Sequence, residues 1–320
     1  MTSLRAEVDQ AVAVLTGADV PSPRADALLL AAHAIGADRS EIERRMVLGG
    51  GVEPDELRRL RALVAERAAR VPLQHLTGTA PFRRLELQVG PGVFVPRPET
   101  ETVVDLALHG LVGPGGSGGT DAPTVVDLCT GSGALALAVA DEVPGAHVTA
   151  VEVSDLALAW AARNIEVTGL AVDLVAADAT APAAGVPELA GLVGRVDVVV
   201  SNPPYIPVGM VPLEPEVAEH DPTVALYGGS EDGLAIPLSV AATAAALLRP
   251  GGLLVMEHAD SQGQSLPRAL AATVEWVDVV DHPDLSGRPR ATVARRAQTR
   301  RRGSGTRCRT PSVGVEDVRG

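Results

Sequence analysis

The sequence contains no lysine, so all 27 of its basic residues are arginine. Ten of these arginines lie from Arg288 onward, where only Glu316 and Asp317 oppose them. Subtracting this segment from the totals of 27 and 40 leaves 17 arginines and 38 acids in residues 1–287, a net charge of −21. We call residues 1–287 the acidic body of the chain. Its negative charge argues against direct binding to nucleic-acid phosphates, which depends on basic side chains. We therefore expect no direct nucleic-acid partner.

Cysteine, aromatic residues and long apolar runs are also scarce. The two cysteines, Cys129 and Cys308, lie in unlike contexts, which predicts neither a disulfide framework nor a metal site and favours a reducing cytoplasm. Six aromatic residues are too few for a base-stacking platform. The longest apolar run, residues 233–248, has 16 residues, fewer than the roughly 20 of a membrane-spanning helix. Residues 1–10 lack the apolar core of a signal peptide, so we expect a cytoplasmic protein without membrane contact.

In the first hundred residues, the spacing of apolar side chains changes once, from helical to strand-like. Residues 1–80 repeat apolar side chains at helical spacing and predict a small helical domain. Because this domain holds no chemical motif yet precedes a connector stiffened by proline, we expect it to recognise the substrate. Residues 81–97 predict a hairpin connector. In this prediction Phe82–Val89 pairs with Val93–Val95, and Gly90–Gly92 forms the turn between them.

Residues 98–295 alternate apolar strands with helices, which predicts an α/β domain built on a mostly parallel sheet covered on both faces. Thr124–Leu128 is the first buried strand. The last two, Val274–Asp281 and Arg290–Arg295, predict an antiparallel hairpin that closes the sheet. Residues 296–320 have no apolar periodicity and predict a disordered, arginine-rich tail.

A glycine-rich loop, Asp127–Gly133, follows the first strand. Glycines let the backbone approach a ligand, and the helix that follows offers free amides. Glu152 ends the next strand, 21 residues beyond Gly131, at the spacing where a carboxylate accepts hydrogen bonds from ribose hydroxyls. The loop alone fits either a nicotinamide dinucleotide or S-adenosyl-L-methionine. Asp127 favours the second, because a carboxylate attracts a sulfonium and an ammonium and repels a pyrophosphate.

A second polar cluster, Asn202-Pro203-Pro204-Tyr205, follows the fourth parallel strand. The prolines fix carbonyl directions, and Asn202 offers one acceptor and two donor hydrogens. Such a cluster can hold a planar amide or amino group, so we predict a catalytic role for Asn202, Pro203, Pro204 and Tyr205 at the carboxyl end of the sheet. The neighbours Glu257 and His258 could form an acid/base pair, but a strand-end position favours a structural role.

Together the two clusters resemble the class I methyltransferases that act on amino or amide nitrogens. Five further segments narrow the resemblance to the peptide-chain release factor glutamine methyltransferases, the PrmC/HemK family: Pro72–Gly78, Val95–Glu101, Asp221–Gly229, Asp232–Leu234 and Glu257–Gly263. The resemblance runs from about residue 5 to residue 295.

The resemblance implies a class I, Rossmann-like methyltransferase fold with a seven-stranded, mostly parallel sheet and a helical N-terminal domain. It implies methylation of the glutamine in the Gly-Gly-Gln motif of class-one release factors, with S-adenosyl-L-methionine as cofactor. Asp178 and Ala179 would flank its adenine, and Asn202–Tyr205 would hold the glutamine. The residues that would bind the cofactor are Asp127, Cys129, Thr130, Gly131, Ser132, Gly133, Glu152, Asp178, Ala179 and Asn202.

Three positions depart from the family pattern: Cys129 stands where glycine is usual, Glu152 replaces the commoner aspartate, and Ala179 stands where some members carry an aromatic residue. Two alternative functions stay open. A ribosomal-protein glutamine methyltransferase would share nearly every motif. An adenine-amino DNA methyltransferase also uses Asn-Pro-Pro-Tyr, although the acidic body disfavours it. A non-catalytic scaffold is disfavoured by the intact glycine loop.

Overall fold

The computed structural model describes residues 2–112 and 122–298. Its N-terminal part is helical, in agreement with the apolar spacing, and its core is formed by leucines, valines and alanines that the helices turn toward one another. A short antiparallel pair joins Thr2–Ser3 to Gly51–Val52. The elements are β1 (Thr2–Ser3), α1 (Leu4–Gly17), α2 (Pro23–Ile35), α3 (Arg39–Val47), β2 (Gly51–Val52), α4 (Pro54–Ala68) and α5 (Leu73–Thr77).

The hairpin forms earlier than predicted, between β3 (Thr79–Phe82) and β4 (Leu85–Gln88). Arg83 turns the chain with a positive φ of 54°, and its backbone N–H donates to Glu101 Oε1 at 2.9 Å. The pairing of Phe82–Val89 with Val93–Val95 was therefore wrong. The glycines at 90 and 92 do form a turn, in which Val93 N–H donates to the Gly90 carbonyl at 3.4 Å, but no strands of the described residues pair across it. Both glycines also pack closely against the helix Asp155–Thr168, since a Cβ on Gly90 would lie 2.6 Å from the Trp160 ring and one on Gly92 would lie 2.7 Å from Leu156.

The remaining elements form a seven-stranded sheet in the order β10-β11-β9-β8-β5-β6-β7, in which β11 runs in the direction opposite to the other six strands. This confirms both the fold class and the antiparallel closing hairpin. The strands are β5 (Thr124–Leu128), β6 (His147–Glu152), β7 (Val172–Ala176), β8 (Val196–Ser201), β9 (Leu248–Glu257), β10 (Trp276–Pro283) and β11 (Pro289–Arg296). The helices are α6 (Glu101–Val112), α7 (Ala134–Glu142), α8 (Asp155–Thr168), α9 (Pro187–Ala190), α10 (Pro215–His220), α11 (Ala235–Leu247) and α12 (Ser265–Ala271).

The sheet is covered on both faces, which explains why its central strands read as continuous apolar runs. α6, α7 and α8 pack on one face, and α9, α11 and α12 pack on the other. All six residues of β8 are buried. Polar residues therefore collect just beyond the carboxyl ends of these strands, where the sheet meets solvent.

Two sequence predictions are not tested by the structure. The first is the division of the chain into domains at residues 80 and 97. The second is the disordered tail, residues 296–320, which lies almost wholly outside the described residues. Among the helices of the described ranges, none has the length and hydropathy to cross a bilayer.

Candidate active site

A cavity of about 410 Å³ lies at the carboxyl ends of β5, β6, β8 and β9. Its volume falls in the ~300–1,000 Å³ range that is usual for small-molecule sites. The cavity brings both sequence clusters together, because its wall includes eight of the predicted site residues: Cys129, Thr130, Gly131, Ser132, Glu152, Asn202, Pro204 and Tyr205. We call the part around Cys129–Gly133 and Glu152 the β5–β6 end, and the part around Asn202–Tyr205 and Glu257 the β8–β9 end.

Glu152 organises the β5–β6 end through backbone amides. Its Oε2 accepts from Gly131 N at 2.8 Å. Its Oε1 accepts from Val153 N and Ser154 N, both at 2.9 Å. β5 and β6 run parallel with Leu128 opposite Val151, so the loop after one strand and the acid ending the other are adjacent. The predicted spacing of 21 residues thus corresponds to a direct contact.

Asp127 lies beneath the loop and outside the cavity wall. It is fully buried, and its Oδ2 accepts from Thr130 Oγ1 at 2.5 Å and from Ala136 N at 3.2 Å. Burial raises its pKa to about 7, although both hydrogen bonds lower it. Its Oδ1 has no hydrogen-bond partner among the described residues. Asp127 therefore holds the loop and adds a buried carboxyl behind it.

Cys129 adopts a φ of +64°, in the left-handed region that glycine occupies without strain. This geometry explains why the family pattern has glycine there. Burial raises the pKa of the Cys129 thiol, and the nearby carboxylates of Glu152, Asp127 and Asp178 raise it further. Three carboxyl groups therefore lie near Cys129 at the β5–β6 end.

Five predicted residues lie away from the wall. Besides Asp127, they are Gly133, which precedes α7 with a φ of +86°, Pro203, Asp178 and Ala179. Asp178 Oδ1 closes its own turn by accepting from Thr180 N at 2.8 Å. Ala179 is 5% exposed and packs in the core. Their roles in binding remain predictions.

The β8–β9 end is built from side chains that are distant in sequence. Asn202 Nδ2 donates to Thr100 Oγ1 at 3.4 Å. The Tyr205 hydroxyl donates to Glu257 Oε1 at 3.2 Å, and the Tyr205 carbonyl accepts from Gln262 Nε2 at 3.0 Å. This arrangement leaves the Asn202 Oδ1 pointing to no donor among the described residues, so it can accept from a ligand.

Several wall residues escaped the sequence prediction. They are Thr100, Glu257, Arg97 and Arg290. Glu257 was noticed only as a neighbour of His258, and His258 agrees with a structural role: it is fully buried, with Nδ1 2.8 Å from the Ala259 carbonyl and Nε2 2.9 Å from Asp281 Oδ1. Arg97 and Thr100 lie in the Val95–Glu101 segment, which carries the family resemblance but gave no prediction of a site residue, and Arg290 of β11 carries no local signal.

A covering segment, residues 206–226, closes one side of the cavity and includes α10. Glu216 of α10 accepts from Arg67 Nη2 at 2.8 Å and from Arg70 Nη2 at 2.6 Å. Arg67 Nε also donates to Asp26 Oδ2 at 2.8 Å. The next residue along α10, Val217, lines the cavity. The N-terminal helices are therefore attached to the cavity wall through buried ion pairs.

The distribution of charge distinguishes between the two candidate cofactors. Among the described wall residues, the only arginines are Arg97 and Arg290. Arg97 binds Asp221 in the covering segment at 3.0 Å, and Arg290 lies on β11. Within the described part of the chain, the glycine loop thus faces carboxylates and backbone amides but no arginine. This environment fits a cationic ligand and opposes a pyrophosphate.

Sequence comparison with known proteins also indicates a methyltransferase. A sequence model of the PrmC N-terminal domain matches residues 8–78, and one of the methyltransferase small domain matches residues 118–211. A release factor glutamine methyltransferase of Streptomyces coelicolor is 49% identical over 298 residues, which cover 93% of this chain and 99% of that protein. The chain belongs to the release factor glutamine methyltransferase family.

Two further relatives describe the breadth of this family. A release factor glutamine methyltransferase of Mycolicibacterium smegmatis is 47% identical over 92% of this chain and 99% of its own length. A 4-amino-L-phenylalanine/4-methylamino-L-phenylalanine methyltransferase of Streptomyces pristinaespiralis is 41% identical over 88% of this chain and 91% of its own. Membership confirms the resemblance and identifies the chain as a methyltransferase whose methyl donor is S-adenosyl-L-methionine.

Proposed function

We propose that this enzyme methylates the side-chain amide nitrogen of the glutamine in the Gly-Gly-Gln motif of class-one release factors. The observation that carries the proposal is the position of Asn202, in the wall of the cavity that the glycine loop also lines. Thr100 accepts from its Nδ2, which leaves Oδ1 as the acceptor for an amide N–H. The names of the relatives at 49% and 47% identity support the choice of substrate.

The proposed roles follow from the two ends of the cavity. Bound S-adenosyl-L-methionine supplies an electrophilic methyl group on a sulfonium. Glu152 and the amides of the loop would hold the donor, and Asp127 would keep the loop in place from below. Asn202 Oδ1 and a proline carbonyl of the Asn202–Tyr205 cluster would accept the two amide N–H hydrogens and so orient the nitrogen for in-line attack. An amide nitrogen is a poor nucleophile, so positioning and exclusion of water are the main contributions expected from the protein.

The relative named for 4-amino-L-phenylalanine gives a second candidate substrate class, a free aromatic amine. A planar amino group presents the same N–H hydrogens to Asn202 as an amide does. The covering segment and the N-terminal helices favour a larger, protein substrate, because ion pairs join them beside the cavity. The acidic body likewise favours an enzyme without direct nucleic-acid contact, and we place it in the cytoplasm.

The test is methyl transfer from labelled S-adenosyl-L-methionine to a purified class-one release factor. The matched control is the same factor with the motif glutamine replaced by alanine. We expect one methyl group on the wild-type factor and none on the control. Parallel reactions contain a ribosomal protein or 4-amino-L-phenylalanine. Faster transfer to either of these, or equal transfer to the control factor, would contradict the proposal.

A further inference from the structure

Among the described wall residues, Glu257 is the one with a buried carboxyl group in which one oxygen has no hydrogen-bond partner. It is 2% exposed, lines the cavity, and has an Oε2 without a hydrogen-bond partner among the described residues. Glu152, by contrast, has both oxygens occupied by backbone amides. A buried polar atom without a partner costs free energy, and such atoms in a cavity wall point to a ligand or a catalytic role.

The sheet places Glu257 beside Asn202. Ser201 of β8 pairs with Met256 of β9, so the next residues, Asn202 and Glu257, are side by side on parallel strands about 4.8 Å apart. Thr100 lies between their side chains: it accepts from Asn202 Nδ2 at 3.4 Å, and its hydroxyl lies near enough to the Glu257 carboxyl to lower the pKa of that group. A substrate amide held by Asn202 is therefore close to the carboxyl group of Glu257.

We propose that Glu257 accepts the proton that the substrate amide releases when its nitrogen is methylated. The proposal rests on the amide being the methyl acceptor. As the new N–C bond forms and the C–S bond breaks, the sulfonium becomes a neutral thioether and the positive charge moves to the nitrogen. The nitrogen keeps two hydrogens at that point. Because methylation makes the nitrogen tetrahedral, one hydrogen turns away from its carbonyl acceptor and passes as a proton to the Glu257 carboxylate. The N-methyl amide that remains is neutral, and Glu257 returns the proton to solvent after the product has left.

The surroundings of Glu257 suit this role. Burial raises its pKa to about 7, while Thr100, the charge of Arg290 and the Tyr205 hydroxyl lower it, and Glu99 raises it. A base is most effective when its pKa lies near the working pH. The charged or titratable groups that face it come from three elements: Tyr205 after β8, Glu99 in the turn before α6, and Arg290 of β11, which also binds Asp284. Arg290 would stabilise the carboxylate between turnovers.

The alternative is that Glu257 only anchors Tyr205, and a pH profile separates the two roles. We would measure single-turnover methyl transfer to the release factor, with saturating donor, from pH 6 to pH 9 for the wild type, Glu257→Gln and Tyr205→Phe. A carboxylate base makes the wild-type rate rise with pH through about 7 and then level off. Glu257→Gln should be about a hundred-fold slower or more and lose the rise. Tyr205→Phe removes the same anchor but keeps the base, so its rise should persist, displaced to higher pH.

Two controls keep the outcome decisive. Calorimetry with S-adenosyl-L-methionine checks that each variant is folded, and Glu257→Asp, which keeps a carboxylate, should retain a pH-dependent rise. If Glu257→Gln keeps the wild-type profile, or if Tyr205→Phe loses the rise as fully as Glu257→Gln does, the inference is overturned. If the wild type itself does not methylate the factor, the proposed function fails instead, so the two failures are distinguishable.

Discussion

The two ends of the cavity are built in different ways. At the β5–β6 end a single carboxylate, Glu152, binds three backbone amides of its own and the neighbouring loop. At the β8–β9 end, side chains contact one another across the chain: Asn202 with Thr100, and Tyr205 with Glu257. Backbone amides tolerate changes of side chain, whereas side-chain pairs do not. Substitutions should therefore weaken binding at the first end and abolish chemistry at the second.

The largest effect is expected at Asn202. Asn202→Ala removes the acceptor and the donor, and Asn202→Asp keeps an acceptor but loses the donor to Thr100. Loss of one well-placed polar group of this kind costs about 10²–10³ in rate. We expect both variants to transfer methyl at least roughly a hundred-fold more slowly in single-turnover measurements.

Binding of S-adenosyl-L-methionine is the control for this prediction, since Pro203 and Pro204 remain and should hold the loop. Both variants should bind the donor within a few-fold of the wild type by calorimetry. Near-normal transfer in either variant would mean that the amide is held elsewhere, and the contrast between the two ends would lose its basis.

The next largest effect concerns the covering segment on the β8–β9 side. Burial disfavours ionisation of Glu216, but hydrogen bonds from Arg70 and Arg67 outweigh burial and lower its pKa to about 2. Because its pKa is lower in the folded protein, Glu216 stabilises the fold above about pH 4.5, and this contribution is lost as pH falls toward 2. We expect Glu216→Gln to reduce the free energy of unfolding at pH 7 by about 3 kcal/mol.

Urea unfolding at pH 7 and at acid pH checks this sign. The difference between wild type and Glu216→Gln should shrink as the pH falls below 4.5. Glu219→Gln is the matched control, because Glu219 is an exposed acid on the same helix and should change stability by less than about 0.5 kcal/mol. A difference that stays constant with pH would show that the ion pairs of Glu216 do not carry the effect.

These contrasts also explain what the sequence could predict. The β5–β6 end was predictable because its parts lie within one strand–loop–strand unit, where spacing alone places Glu152 against Gly131. The Asn202–Tyr205 cluster was predictable as a local motif. Thr100 and Arg290 were missed because the sheet brings them together from distant positions. The hairpin was misplaced because the glycines at 90 and 92 do form a turn, but that turn leads away from the strand and packs against Trp160 and Leu156, so no second strand follows it.

At the β5–β6 end, Glu152→Ala should reduce the affinity for S-adenosyl-L-methionine and leave the intrinsic transfer rate at saturation less affected. The variant loses hydrogen bonds to a charged acceptor, worth about 1.5–3 kcal/mol, or roughly 10- to 150-fold in Kd. Glu152→Asp is the matched control, because it keeps a carboxylate and should lose less. Equal donor affinity in wild type and Glu152→Ala by calorimetry would refute the proposed role of Glu152.

The smallest effect is expected at Cys129, whose φ of +64° strains any residue with a Cβ. Cys129→Gly and Cys129→Ala both remove the sulfur, but only Ala keeps the Cβ, so their difference isolates the backbone angle. Left-handed geometry costs a residue with a Cβ about 1–2 kcal/mol, which glycine avoids. Glycine in turn loses about 0.5–1 kcal/mol of stability, because its unfolded chain has more conformational freedom. We therefore expect the Gly variant to be more stable than the Ala variant, by about 0.75 kcal/mol at the middle of these ranges and by no more than about 1.5 kcal/mol, in urea unfolding at pH 7. An Ala variant as stable as the Gly variant would show that the loop relaxes out of this conformation. The β5–β6 end would then be less rigidly fixed by its backbone than the contacts of Glu152 indicate.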